Sequence, residues 1–271
     1  MNKYLNQSSK QYFAFNIWSI ESAKAVIDGC ANYGNDALLQ TSMKAYGKLD
    51  KKELRQFVTS YSVKRGIKGY LHLDHCKEMS AIKEAIDFGW DSVMIDASDR
   101  PLYQNIEQTN HVVDYAHERG VLVEAEIGQI NGETGVASYE DVCLFAEQTD
   151  VDLLAVAIGT EHGLYHGTPI LDFELLDRVI GSVQIPLVIH GGSGLEDDVF
   201  LRLLRYEQVK KINISTDVKM SYREAIRKAV EDDLFQRKRF DPLKVTDYIQ
   251  TEIRTMVEHK QELLKRGIVH E

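Results

Sequence analysis

Short, continuously apolar runs alternate with longer amphipathic segments along the whole chain. Eight such runs have the composition of parallel strands that are buried on both faces, and each is followed by a segment long enough for a helix. The runs cover residues 12–15, 37–40, 69–73, 92–95, 121–127, 153–158, 185–190 and 209–214. The helical segments cover residues 19–33, 51–65, 77–88, 102–119, 138–148, 171–180, 196–204 and 216–233.

Eight strand–helix pairs in series predict an α/β fold, a closed (β/α)8 TIM barrel, because open doubly wound sheets usually have fewer strands. The chain has 271 residues and no low-complexity segment or Pro/Gly/Ser-rich linker, so we expect a single barrel domain over residues 1–271. Residues 241–265 predict an extra C-terminal helix outside the repeat, and Asp241 and Pro242 supply its start signal.

Charge and cysteine content narrow the class of partner. The formal net charge is −10, which disfavours nucleic acid and anionic membranes as partners. The cysteines Cys30, Cys76 and Cys143 are odd in number and share no close spacing, as is typical of a reducing compartment. No stretch approaches the roughly 18 apolar residues of a membrane span. We therefore expect a cytoplasmic protein.

Polar side chains stand at nearly every predicted strand end. The carboxyl ends of the strands are where TIM-barrel enzymes carry their chemistry, so these residues are the first candidates for an active site. They are Asn16, Gln40, Ser42, His72, Asp74, His75, Asp96, Ser98, Glu124, Glu126, His162, His190, Asn213, Ser215 and Thr216.

Three of these strand-end residues are histidines that predict a catalytic metal site. His75, His162 and His190 follow the third, sixth and seventh strands, and three imidazoles with an open fourth position are typical of catalytic zinc. For any one of them, a hydrogen bond to a neighbouring loop is the alternative. Three at equivalent positions, flanked by carboxylates, favour the metal. We expect His72 to support the ligands rather than to bind.

The carboxylates have two interpretations each. Asp74, next to His75, is a candidate general base that stays ionised beside a cation, or else it caps the following helix. Asp96, Glu124 and Glu126 either orient the imidazoles and hold the metal, or form ordinary ion pairs at the barrel mouth.

Two further features indicate a phosphorylated substrate and a mobile acid. The turn His190–Gly194 and the segment Asn213–Thr216 follow the seventh and eighth strands, where barrels often bind phosphate through backbone N–H groups and a helix N-terminus. Residues 128–137 contain three glycines, so this loop is expected to close over substrate, with Glu133 as an acid or base. A solvated glutamate is the alternative for Glu133.

In order along the chain, six segments resemble the motifs of class II fructose-bisphosphate and tagatose-bisphosphate aldolases. The segments are YLHLDHCKE (70–78), SVMIDAS (92–98), VEAEIG (123–128), AIGTEHGLYHGTPILDF (157–173), VIHGGSG (188–194) and KINISTD (211–217). The resemblance implies a metal-dependent aldolase that cleaves or forms a carbon–carbon bond in a phosphorylated ketose. Family members are usually dimers or tetramers, which implies a homodimer or homotetramer here.

The resemblance also implies a role for each matching residue. His75, His162 and His190 correspond to the three Zn²⁺ ligands, and Asp74 to the residue that moves the hydroxyl proton. Asp96 and Glu126 correspond to acidic residues near an alternative metal position. The expected grip on the phosphate of dihydroxyacetone phosphate, often with Na⁺ or K⁺ nearby, comprises Gly191, Gly192, Ser193, Asn213 and Thr216. Gly163, Ser215, Asn16 and Ser42 complete the expected substrate-binding set.

The sequence departs from the family pattern at a contact with the substrate backbone and at the position for the distal phosphate. Ser215 stands where members commonly have Asp, and Gln250 stands where they often have an Arg for the distal phosphate, with Arg254 one turn later. A ketose 1-phosphate or a modified sugar phosphate is therefore an alternative to a bisphosphate. A metal-dependent sugar-phosphate epimerase or isomerase, and a catalytically inactive sugar-phosphate-binding barrel, are the alternative functions.

Overall fold

The computed structural model describes residues 10–128, 136–161, 163, 165, 167, 169–236, 238 and 240–268. Eight parallel strands pair in chain order, and β1 also pairs with β8, which closes the barrel. The strands are β1 (Tyr12–Asn16), β2 (Ala37–Ser42), β3 (Gly69–Cys76), β4 (Ser92–Ile95), β5 (Leu122–Ile127), β6 (Leu153–Val156), β7 (Leu187–Ile189) and β8 (Val209–Ile214). The prediction of a TIM barrel is confirmed.

The helices follow the predicted alternation with one addition. They are α1 (Ile20–Ala31), α2 (Met43–Tyr46), α3 (Lys51–Lys64), α4 (Met79–Asp87), α5 (Leu102–His117), α6 (Tyr139–Gln148), α7 (Phe173–Ser182), α8 (Asp197–Leu204), α9 (Thr216–Glu231) and α10 (Pro242–Ile268). The short α2 was not predicted, because four residues show no helical periodicity. Ser42, the last residue of β2, caps it by accepting a hydrogen bond from the Ala45 N–H. Within the described residues, no helix combines the length and apolar composition that a bilayer crossing requires.

The interior of the barrel changes from apolar to polar along strands such as β1 and β3. Tyr12, Ala14 and Asn16 alternate with outward residues on β1, and all three are buried. On β3 the same alternation gives Tyr70, His72 and Asp74. The lower barrel is thus filled by packed apolar side chains, with the rings of Tyr12 and Tyr70 edge to face at 6.4 Å. The carboxyl end of the barrel carries the polar groups.

The extra helix α10 packs closely against the outer helices. Gly29 on α1 approaches Val257 so closely that a Cβ added there would lie 2.7 Å from the Val257 Cγ1 atom. A Cβ on Gly267 would lie 2.9 Å from that of Leu204 on α8. Glycine at both contacts lets the helix backbones approach, so α10 packs tightly against α1 and α8.

Candidate active site

Two consecutive residues at the end of β3 both reach the mouth of the barrel. In a regular strand, Asp74 and His75 would face opposite sides. The pairing of β3 with β4 shifts register between Leu73 and Cys76, and His75 has a left-handed backbone with φ of 49°. Such a conformation is uncommon outside glycine. It turns His75 inward, so that both side chains line the same cavity.

His75 meets His190 across the barrel mouth, although 115 positions of sequence separate them. Their ring centroids are 4.6 Å apart. One donor atom from each of Asp74, His75 and His190 lies within 4.8 Å of the others, and the same holds for His75, Asp96 and Glu126. Two of the three predicted ligand histidines therefore converge with three carboxylates. His162 and Glu133 lie outside the described residues.

The carboxylates hold the two imidazoles in place. Asp96 Oδ2 lies 2.9 Å from His75 Nδ1, and its other oxygen accepts the Ser98 hydroxyl at 2.8 Å. Glu126 Oε2 lies 3.6 Å from His75 Nδ1 and 3.3 Å from His190 Nδ1. Asp96 thus orients one ring, while Glu126 lies between both. These contacts suit the two roles that the sequence left open for them, orienting imidazoles or holding a metal.

A fully buried charged group lies just below this layer. Glu124 Oε1 is 2.9 Å from His190 Nε2, and its other oxygen accepts the Lys211 ammonium at 2.7 Å. Glu124 and Lys211 are both 0% exposed. His72 Nε2 is 3.6 Å from Glu124, and its Nδ1 bonds to Ser92 at 2.8 Å, so His72 supports the site from beneath. Sequence reasoning gave Lys211 no role. The sequence contains one indication of a role, the consecutive Lys210 and Lys211 in a predicted strand. Because successive side chains of a strand face opposite sides, one of the two lysines must face the barrel interior.

The electrostatics of these groups favour a cation. Burial alone lowers the pKa of His190, but hydrogen bonds to Glu124 and Glu126 outweigh it and raise the pKa to about 9. Burial together with the Lys211 charge lowers the pKa of His72 to about 3, so this ring is neutral. Burial opposes ionisation of Asp96, yet its bond to His75 holds its pKa below the ordinary range. Ionised carboxylates therefore surround the imidazoles of His75 and His190. These negative charges favour a proton or a metal ion bound to the ring nitrogens.

Asp74 sits in a cradle of side-chain amides. Its Oδ2 accepts from Asn16 at 3.2 Å and Gln40 at 3.4 Å, and its Oδ1 accepts from Asn213 at 3.3 Å. Burial would raise its pKa, but the charges of His75 and Lys211 lower it overall. The residue is 5% exposed, and Glu78 rather than Asp74 occupies the N-cap of α4. Asp74 is therefore a positioned, ionised carboxylate and not a helix cap.

The two loops expected to grip phosphate are bonded to one another. Gly191 has φ of 67°, and a Cβ there would lie 2.5 Å from the Glu161 carbonyl oxygen. The Gly192 N–H donates to the Asn213 carbonyl at 3.1 Å. Ser193 Oγ accepts from the backbone N–H of Ser215 at 3.0 Å and of Asp217 at 3.1 Å, at the start of α9. The Ser193 oxygen thus ties the glycine turn to a helix N-terminus and keeps its own proton for donation.

A cavity of about 380 Å³ joins the histidine cluster to these loops. Most of the predicted substrate-binding residues line it, whereas Gly192, His190, Asp96 and Glu126 do not. The predicted residues on its wall are Asn16, Ser42, Asp74, His75, Gly163, Gly191, Ser193, Asn213, Ser215 and Thr216. Gln40 and Lys219 also line it. The sequence offered a signal for Lys219, since it stands one helical turn after Thr216.

A buried, ionised carboxylate, a cluster of imidazoles and two phosphate-compatible loops at the mouth of a TIM barrel are typical of metal-assisted sugar-phosphate enzymes. The sequence model of the family "Fructose-bisphosphate aldolase class-II" matches residues 1–267. The chain therefore belongs to the class II fructose-bisphosphate aldolase family, and it is an aldolase. The epimerase and inactive-barrel alternatives are not favoured.

Solved structures agree with this assignment. The YdjI aldolase from Escherichia coli K12 superposes with a TM-score of 0.83 at 26% sequence identity, covering 97% of this chain and 96% of that one. The fructose-bisphosphate aldolase (Fba) from Campylobacter jejuni has a TM-score of 0.81 at 20% identity, covering 97% and 92%. At that lower identity the likeness shows the fold alone.

Proposed function

We propose that this aldolase holds one divalent metal ion, Zn²⁺, with His75, His162 and His190, and cleaves a ketose 1-phosphate into dihydroxyacetone phosphate and an aldehyde. One observation carries the proposal. Donor atoms of Asp74, His75 and His190 lie within 4.8 Å of one another, and a single cavity connects that cluster to the loops of Ser193 and Thr216.

The donor set fits zinc. Imidazole nitrogens and carboxylate oxygens are the ligands that zinc accepts, and three protein ligands leave a position for substrate. Asp96, 2.9 Å from His75, and Glu126, 3.3 Å from His190, are proposed to orient the rings or to hold the ion in a second position. A bound divalent cation would supply Lewis-acid stabilisation for the negative charge that develops on the substrate oxygens as the carbon–carbon bond breaks.

Asp74 supplies the base in this proposal. Its lowered pKa keeps it ionised, and the amides of Asn16, Gln40 and Asn213 fix both of its oxygens. In the direction of cleavage, Asp74 takes the proton from the hydroxyl that becomes the aldehyde oxygen. Glu133 is proposed as the acid that exchanges a proton with the carbon of the other product.

The glycine turn and the start of α9 are proposed to hold the phosphate, with Na⁺ or K⁺ beside it. Backbone N–H groups at a helix N-terminus favour an anion, and the Ser193 hydroxyl keeps a proton to donate. Binding energy from this remote group holds the reacting atoms in place, which is how phosphate contributes to turnover.

Departures from the family pattern bear on the choice of substrate. Ser215 replaces an acidic residue of the family pattern, and Lys219 is the only lysine or arginine among the described residues that line the cavity. Gln250 on α10 stands where a distal arginine is common. Without an arginine at that position, a ketose 1-phosphate with an uncharged polar distal end suits this chain better than a bisphosphate.

A panel of ketose 1-phosphates and ketose 1,6-bisphosphates tests the proposal, with released triose phosphate measured through a coupled dehydrogenase. We expect cleavage that a chelator abolishes and Zn²⁺ restores. Full activity in chelator with no bound metal would contradict the metal assignment. A higher kcat/KM for bisphosphates than for every monophosphate would contradict the substrate assignment.

Assembly and location are proposed from the family and the composition. Family members are usually dimers or tetramers, and Cys30, Cys76 and Cys143 are all free thiols, in keeping with a reducing cytoplasm. Light scattering on the eluting protein would identify a homodimer or homotetramer by mass. A monomer at micromolar concentration would contradict this part of the proposal.

A further inference from the structure

Helix α10 places a buried lysine beside the proposed phosphate loops. Lys260 is 5% exposed, although lysine is almost never buried without a partner. Its position on the inward face of α10 is not dictated by the barrel repeat, to which α10 does not belong. The burial of the Lys260 ammonium on this additional helix therefore indicates a specific structural role.

Lys260 touches both of the helices that follow the phosphate loops. Its ammonium lies 3.2 Å from Asp217 Oδ2 in the first turn of α9. It also lies 4.1 Å from the centroid of the Phe200 ring on α8, in a cation–π contact. The helix α8 follows the glycine turn, and α9 follows Ser215. One cation thus links the helices behind the two halves of the proposed phosphate site.

Asp217 transmits this contact to the site itself. Its second oxygen accepts the Gly194 N–H at 3.1 Å, and its own backbone N–H donates to Ser193 Oγ. Asp217 is therefore bonded to the glycine turn through both its side chain and its backbone. The chain of contacts runs from Lys260 through Asp217 to Gly194 and Ser193.

We propose that Lys260 is a positioning residue for phosphate binding, which fixes Asp217 and so holds the glycine turn against the start of α9. The inference rests on the proposed function, because it concerns the same phosphate site. It assigns α10 a task in substrate binding that needs no contact between α10 and substrate. The metal cluster is anchored by other contacts, since His75, Asp96 and Glu126 lie on other elements and His190, which precedes the glycine turn, is held by Glu124 and Glu126.

The test compares Lys260→Met, Asp217→Asn and the double variant with wild type. Methionine keeps the length and apolar contacts of the lysine stem but not its charge, and asparagine keeps an acceptor for Gly194. We expect each single variant to weaken binding of inorganic phosphate, measured by calorimetry, roughly 10-fold, which is within the range for residues that act on a binding site through a contact network. KM for the phosphorylated ketose should rise similarly, with kcat and Zn²⁺ affinity unchanged.

Two comparisons separate positioning from a loss of stability. If Lys260 acts through Asp217, the double variant should bind phosphate about as well as either single variant, since coupled residues are not additive. Lys265→Met, on the exposed side of the same helix, should match wild type throughout. Wild-type phosphate affinity in both single variants would overturn the inference, as would an equal loss of Zn²⁺ and phosphate affinity. Failure of wild type itself to bind phosphate would instead overturn the proposed function.

Discussion

His190 presents its Nε2 atom to Glu124, 2.9 Å away in the closed interior of the barrel. Because an ionised carboxylate can only accept, Nε2 carries the proton and Nδ1 is the nitrogen that faces the histidine cluster. Burial opposes the charge of Glu124, but the charge of Lys211 and the hydrogen bond from His190 hold its pKa below the ordinary range. The carboxylate therefore selects the tautomer of a proposed metal ligand.

Glu124→Gln tests this relationship. Glutamine can accept from His190 only by aiming its N–H₂ group at the Lys211 ammonium, so the imidazole loses a fixed orientation. We expect Zn²⁺ affinity to fall roughly 10–100-fold, as for other residues that support a metal-bound histidine. Calorimetric titration with Zn²⁺ measures it, and the exposed Glu118→Gln serves as the matched control. Unchanged affinity in Glu124→Gln would show that the contact does not orient the ligand.

Lys211→Met should destabilise the fold. It leaves Glu124 buried with its main cationic partner removed, and breaking a buried pair on one side costs about 3–5 kcal/mol. Lys210→Met, one residue earlier on β8 and partly exposed, should change the free energy of unfolding by less than about 1 kcal/mol. Urea denaturation of both variants makes the comparison. Equal stabilities would mean that Lys211 contributes nothing to the barrel interior.

Asp74→Asn should separate chemistry from metal binding. The amide keeps the size of the carboxylate but cannot take a proton, so we expect kcat to fall by roughly 10²–10⁴. Zn²⁺ content should stay at one per subunit, because His75, His162 and His190 are untouched. The measurements are steady-state cleavage and metal analysis of the same preparation. Retained turnover would assign the base to another residue.

Stability of the metal-free protein should depend on pH through His190. Its pKa in the folded protein is raised to about 9 from the ordinary value of 6.5. A raised pKa contributes stability that is complete below the unfolded value, and this contribution is lost as pH rises towards the folded value. We therefore expect the chelated protein to lose stability between about pH 6.5 and 9. Denaturation midpoints across that range test it, and His190→Ala should flatten the decline.

Gly192→Ala should loosen the proposed phosphate site. The added Cβ would lie 2.7 Å from Ile212 Cγ2 and 2.8 Å from the Asn213 carbonyl oxygen, so the turn must move away from β8. We expect a KM several-fold higher and a lower melting temperature. Gly181→Ala is the control, because nothing lies within 4 Å of the new Cβ in α7. That substitution should be neutral or slightly stabilising.

The barrel was accessible from sequence because strands buried on both faces are uninterrupted apolar runs. The same continuous apolar composition made the ends of the strands difficult to predict. The predicted sixth and seventh strands, 153–158 and 185–190, extend beyond the observed Leu153–Val156 and Leu187–Ile189, since apolar residues continue past the paired backbone. Helix α2 was not predicted because its sequence contains an N-cap residue but is too short to show helical periodicity.

Residues of the candidate site could be predicted from the sequence where a polar or ionisable side chain stands at the end of a predicted strand, as for Asp74 and His190. It was not accessible where a role depends on a partner distant in sequence. Lys211 meets Glu124 only through barrel closure, and an amphipathic helix does not say which lysine, such as Lys260, is turned inward. The roles of Glu133 and His162 stay predictions.

The left-handed residue at the end of β3 limits how this site can be transplanted. Grafted onto an ordinary strand of another barrel, the dipeptide Asp74-His75 would send its imidazole into the layer of surrounding helices. A design that transfers Asp74 and His75 to another barrel must therefore also transfer the register shift of β3 and the left-handed backbone of His75.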